Sequence, residues 1–221
     1  TRLYEGGKPR EEIIDFLRRN GRFGFLLIGD MNAQIAAGRT GEQRFNDILE
    51  RFGYDTVMAA RDEIFRQSEV LEKEAIAAIP DGVYTSEGFV DNDGLGNGPI
   101  PIKMAVTVKG ETIKIDLEGS SKQAQGPINC GFAQTISACR VAFKLLVNPR
   151  RPVDGGTFKT LTIEAPEGSI FRAQEPAACQ WYFTPLGILI DLFVKALTPV
   201  MPDKVAGAHY GDSMVIFIAG V

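Results

Sequence analysis

Apolar positions recur along this chain with two different periods, and the change falls near residue 80. Before it the spacing is helical. In "PREEIIDFLRRN" (9–20) Ile13, Ile14 and Leu17 make one stripe, with Glu11 and Glu12 at the positive helix end and Arg18 and Arg19 at the negative end. Asn20-Gly21 closes that helix. Asp30 is a good N-cap for a second helix that Gly53 stops, with Phe45, Ile48, Leu49 and Phe52 on one face. Its front half is small (Ala33, Ala36, Ala37, Gly38, Gly41), which leaves room for a partner backbone. Asp55 or Thr56 caps a third helix running to Ile79, with a narrow stripe of Val57, Ile64, Leu71 and Ala78, joined by Phe65, Ala75 and Ile79. A link of about three residues predicts an antiparallel hairpin of helices two and three. That hairpin projects, packs on another chain, or lies on its own sheet.

Beyond Pro80-Asp81-Gly82 the period becomes two. "GVYTSEGFVDND", "IKMAVTVKG" and "TIKIDLEGS" read as strands, the last two forming a hairpin through Lys109-Gly110-Glu111. Met104, Val106 and Val108, and Ile113, Ile115 and Leu117, alternate toward one face. A helix follows over about 132–147, then a strand in "TFKTLTIEAPEGS", a very hydrophobic helix over 186–198, and a closing strand at Met214–Ile218. The predicted class is α+β: an N-terminal helical hairpin (1–79) followed by a mixed strand/helix region with antiparallel β-hairpins (80–221).

Composition narrows the function classes. The 221 residues are 44% hydrophobic and 24% charged, which supports a packed core. A formal net charge of -4 with interspersed signs argues against nucleic-acid and membrane-surface binding. The three cysteines, Cys130, Cys139 and Cys179, form no CxxC pair and suit reduced thiols in a cytoplasmic protein. Pro185 and Asp191 interrupt "FTPLGILIDLFV", which falls short of the ~20 residues that span a bilayer. Without an initial Met, and ending inside a strand, the sequence reads as an internal piece of a longer polypeptide.

The candidate chemistry is incomplete. Cys130 in "GPINCG" precedes a helix, where the dipole can acidify a thiol, but a catalytic thiol needs a base and His209 is the one histidine. "DNDGLGNGP" (91–99) fails as a calcium loop, with Leu95 and Ile102 at ligand positions. It fails as a phosphate loop because Gly98-Pro99 leads into a strand, so it reads as a surface loop. His209 and Asp212 would make half a metal site, and a site needs three or four ligands. Asn129, His209 and Asp212 remain as residues that could line a substrate cleft. Catalytic residues are not identified and no metal ligand set is assigned.

Several ordered stretches together resemble the hydantoinase B/oxoprolinase family. They are "GDMNAQIAAGRTGEQRFNDILERFG" (29–53), "IPDGVYTSEGFVDNDG" (79–94), "GSSKQAQGPINCGFAQTISACRVAF" (119–143), "PVDGGTFKTLTIEAPEGS" (152–169) and "PAACQWYFTPLGILIDLFVKAL" (176–197). The resemblance implies a B-type subunit of an ATP-dependent hydantoinase or 5-oxoprolinase, related to acetone and acetophenone carboxylase subunits. It implies a longer chain whose His/Asp-rich metal segment lies upstream of Thr1, and ATP with Mg and a divalent metal in the whole complex. It also implies an A-type subunit that handles ATP, and homo-oligomerisation of the B-type subunit. Activation by ATP-derived phosphate divides one high barrier into two lower ones. This region would supply scaffold, subunit contact and one wall of the cavity, and alone would be inactive. The aromatics at 181–183 depart from the family pattern and lean toward a ketone-carboxylase branch. A module serving assembly alone is the alternative of another class.

Overall fold

The computed structural model describes residues 2–209; the strand expected over Met214–Ile218 lies outside them. Among these residues two compact units are present, divided between Asp62 and Glu63.

In the first unit, β1 (Tyr4–Glu5) pairs antiparallel with β2 (Lys8–Pro9). The guanidinium of Arg39 lies 5.5 Å over the Tyr4 ring. Helix α1 (Glu11–Asn20) packs on α2 (Gly24–Phe52), and neither has a buried residue. The second helix therefore begins at Gly24 rather than at the Asp30 cap. The run Phe25–Ile28 continues its periodicity, and Gly29 weakens the helix without breaking it. Gly53, at φ 81°, is the whole link to α3 (Tyr54–Ala77), shorter than the expected link.

The second unit is built on a four-stranded sheet of order β3-β4-β5-β6. β3 (Gly82–Val90), β4 (Ile100–Lys109) and β5 (Thr112–Asp116) are antiparallel neighbours, as their alternation predicted. Met104, Val106, Val108, Ile113, Ile115 and Leu117 are all buried on one face. Each such aliphatic side chain contributes about 1.5–3 kcal/mol. The opposite face carries polar pairs, including Lys114 with Asp116 and Glu164.

β6 is only Leu161–Glu164, and it joins β5 in parallel. A parallel neighbour requires a crossover, and α4 (Phe132–Leu146) supplies it. Residues 157–160 turn rather than extend: Thr157 and Lys159 donate amide hydrogens back to Asp154 and Gly156. α5 (Phe183–Leu197) lies across β3 and β4 and beside α4, with Pro185 accommodated in its first turn. Ser86 Oγ donates to the Leu192 carbonyl at 2.7 Å, tying β3 to α5. Phe143, Phe171 and Phe193 fill the core beneath.

The later half of α3 is fastened to this layer. Lys159 reaches Glu69, Lys144 reaches Glu72, and Ser68 donates to Asp154. A side chain on Gly156 would collide with the Phe65 carbonyl, so "VDGG" marks a close backbone approach. Of the expected stripe, Ile79 is buried and Phe65, Leu71 and Ala75 are half-buried, while Ile64 and Ala78 are exposed; the fully buried residues of α3 itself are Glu72 and Ile76.

Candidate functional site

The glycine-rich loop 91–99 and the turn around Cys130 form one interlocked structure. Asp93 is 1% exposed and points inward. Its Oδ1 accepts the amides of Leu95 (2.9 Å) and Asn97 (3.1 Å); its Oδ2 accepts the Asn97 side chain (2.9 Å) and the Gly126 amide (3.0 Å). The Asn97 amide group and then these backbone donors pull its pKa down to about 2, against the opposing effect of burial. A Cβ on Gly126 would collide with the Asp93 carbonyl, so glycine alone allows the two strands of loop to touch.

Asn129 is fully buried a few residues on. Its Nδ2 donates to the carbonyls of Ala124, Gly126 and Ala178, and its Oδ1 accepts the Ala124 amide at 2.7 Å. The Trp181 amide donates to the Pro127 carbonyl at 2.7 Å. Three stretches far apart in sequence thus meet through main-chain groups, and Asn129 is committed to holding them together. Cys130 is also buried; its amide bonds to the Ile170 carbonyl, and burial pushes the thiol up to about 12, with Cys179 adding to the effect. A thiol buried and raised in this way stays protonated near neutral pH, which fits the structural reading of Cys130 as part of the turn.

A separate cleft of about 590 Å³ runs along α5. Its walls are largely aliphatic: Leu145, Ile188, Ile190, Leu192 and Val194, with Ala206 and Ala208 opposite. His209 lies here, its Nδ1 2.6 Å from Asp191 Oδ2, while its backbone amide donates to Asp191 Oδ1 at 3.4 Å. Asn129 is not part of this lining, and Asp212 lies outside the described residues. Sequence reasoning missed Asp191 as a partner. The signal was a lone carboxylate inside an otherwise apolar helix, since such a group needs a partner when it is covered. Among the described residues no three His, Cys, Asp or Glu side chains converge on a point that could hold a metal ion.

This mixed sheet, with α4 and α5 on its apolar face, defines an α+β domain of the hydantoinase B class. The chain belongs to the hydantoinase B/oxoprolinase family, whose sequence pattern matches residues 1–221. It is 33% identical over 99% of its length to a protein of Pseudomonas sp. (strain NS671) named for the B component of a D-/L-hydantoinase, and covers 39% of that protein. The crystal structure of the ATP-dependent caprolactamase from Pseudomonas jessenii superposes with a TM-score of 0.85 at 27% identity, over 92% of this chain and 35% of that one. The nucleotide-free acetone carboxylase structure shares the fold (TM-score 0.81, 15% identity), over 94% of this chain and 30% of that one. The chain thus spans roughly two fifths of the length of the curated relatives it matches. No helix among the described residues is long and apolar enough to cross a membrane.

Proposed function

We propose that this chain is part of the B-type subunit of an ATP-dependent cyclic-amide hydrolase, of the hydantoinase/5-oxoprolinase type. It supplies scaffold, subunit contacts and, along α5, one wall of the substrate cavity. The observation that carries this reading is the family match over every residue, joined to an aliphatic cleft with a single histidine at its edge. His209 lines the edge of that wall beside Asp191, Asn129 serves from behind by fixing the loops, and Asp212 is carried as a candidate from the sequence. The described residues do not fit a divalent-metal site, because too few ligand side chains converge. On this reading the metal, and ATP with Mg, are held by the rest of the full-length subunit and by an A-type partner, in a cytoplasmic complex without nucleic acid or membrane.

An ATP-dependent ketone carboxylase is the second reading. It is favoured by the aromatic cluster of Trp181, 43% exposed, with Tyr182 and Phe183, whose ring centroids are 4.3 Å apart. Turnover decides between them. The full-length subunit with its ATP-handling partner is expected to consume ATP with caprolactam, hydantoin or 5-oxoproline. ATP-dependent carboxylation of a ketone with bicarbonate would replace the first reading by the second. The 221-residue chain alone is expected to be inert, and activity from it would overturn the division of labour.

A further inference from the structure

One face of α4 is turned away from the core. Ser137, Arg140, Val141 and Lys144 recur on it at i, i+3, i+4 and i+7. The chain leaving the helix comes back beside this face, and Pro149, Val153 and Phe158 complete a pocket of about 460 Å³. That volume lies within the range of small-ligand sites. The pocket offers apolar surface: Val141 is 50% and Val153 59% exposed. Phe158 is its fixed wall, because its ring meets the buried Phe143 edge-on at 6.0 Å.

The polar groups of the lining differ in what they have left to offer. Ser137 Oγ donates to the Ala133 carbonyl at 2.9 Å. Lys144 is neutralised by the buried Glu72 at 2.7 Å. Arg140 is not committed in this way. Its guanidinium carbon lies 4.9 Å from the centroid of the Phe158 ring, and it has no carboxylate partner among the described residues. A guanidinium resting on an aromatic face keeps its in-plane N–H groups for a carboxylate, which they can grip at both oxygens. Arg150 and Arg151, in the turn between Pro149 and Val153, also lack an acidic partner among the described residues. A chain of net charge -4 thus gathers unneutralised arginines at an apolar hollow.

We propose that this pocket binds a small organic acid with an apolar body: the carboxylate sits on the guanidinium of Arg140, and the body lies against Val141 and Val153. Phe158 is a positioning residue that holds Arg140 from beneath. The site is separate from the cleft along α5, and it stands whether or not the cyclic-amide reading does.

The test uses the full-length subunit, with hexanoate as the probe in isothermal titration. Hexanoate is expected to bind saturably, and hexanamide, the same body without the charge, at least about tenfold more weakly. Arg140→Gln should weaken hexanoate about tenfold and leave hexanamide unchanged. Val141→Asp, which sets a negative charge in the apolar wall, should abolish hexanoate binding. Both positions are exposed, so the urea midpoints of both variants should match wild type.

Absence of saturable hexanoate binding, equal affinity for the acid and the amide, or wild-type affinity in Arg140→Gln would each overturn the proposal. Opening a lactam creates a carboxylate that the ring lacks, so the natural acid is either a ring-opened product or an acid from elsewhere. Displacement of hexanoate by 6-aminohexanoate, the product of caprolactam opening, identifies the first source. Hexanoate held against 6-aminohexanoate identifies the second, and both results uphold the site. A complex that opens no cyclic amide sinks the functional reading above while hexanoate binding through Arg140 persists.

Discussion

Asp93 turns its carboxylate inward within a glycine-rich loop. Asp93 accepts four hydrogen bonds, and they hold its pKa near 2, below the ordinary value of about 4. The native state therefore binds fewer protons than the unfolded chain in that window. The stability contributed by this group is complete above about pH 4 and is lost as the pH falls toward 2. Urea unfolding of wild type and Asp93→Asn should show a constant gap from neutral pH down to about 5. The gap should close between about 4 and 2, because protonated Asp93 loses the acceptor that Asn also lacks toward Gly126. A gap unchanged across that window would remove Asp93 from the account. None of this was legible in "DNDGLGNGP", which looks like a solvent-facing loop. The deciding partner, Gly126, is 33 residues away, and local sequence carries no trace of such a bond. Cys130 shows the same limit: a thiol before a helix signals reactivity locally, and burial by distant segments cancels it.

At the level of elements, periodicity was a reliable guide where one neighbour decides burial. β4 and β5 alternate because each has a core on one face and solvent on the other, and both faces were readable. The parallel pairing of β6 was not readable, because it depends on where α4 returns the chain. The covered side of α3 was read only in part, through Phe65, Ala75 and Ile79, because a charged residue, Glu72, also sits on it. Its side chain is 2% exposed, its Oε1 meets Lys144 Nζ at 2.7 Å, and its Oε2 is buried without a hydrogen-bond partner among the described residues. Removing one member of such a pair leaves an uncompensated buried charge, whereas removing both does not. Lys144→Met should cost about 3 kcal/mol in chemical unfolding, and Glu72→Leu combined with Lys144→Met should recover most of it. Additive losses in the double variant would mean that the pair is not coupled.

For the molecule as a whole, the two units differ in how far their own residues account for them. The sheet and its helices bury a continuous core, while α1 and α2 bury none of their residues, although α2 exposes Phe25, Phe45, Ile48 and Phe52. The small residues in the front half of α2 suit close contact with another subunit. If that patch docks, Ala36→Leu with Ala37→Leu should weaken self-association, or binding of the proposed ATP-handling partner, by at least about tenfold in sedimentation velocity. Association unchanged by both substitutions would move the docking face elsewhere. The class of fold was legible from the switch in period, and the family from five ordered stretches. The His209–Asp191 contact was not, since its members lie 18 residues apart and meet only when the chain after α5 folds back on that helix. The interlock around Asp93 and Asn129 has a temporal side as well. Asp93 awaits Gly126, and Asn129 awaits Ala178, 49 residues later. A ribosome adding roughly 5–20 residues per second reaches these two points several seconds apart. A nascent chain thus carries this stretch unfastened until the segment leading into α5 has been synthesised.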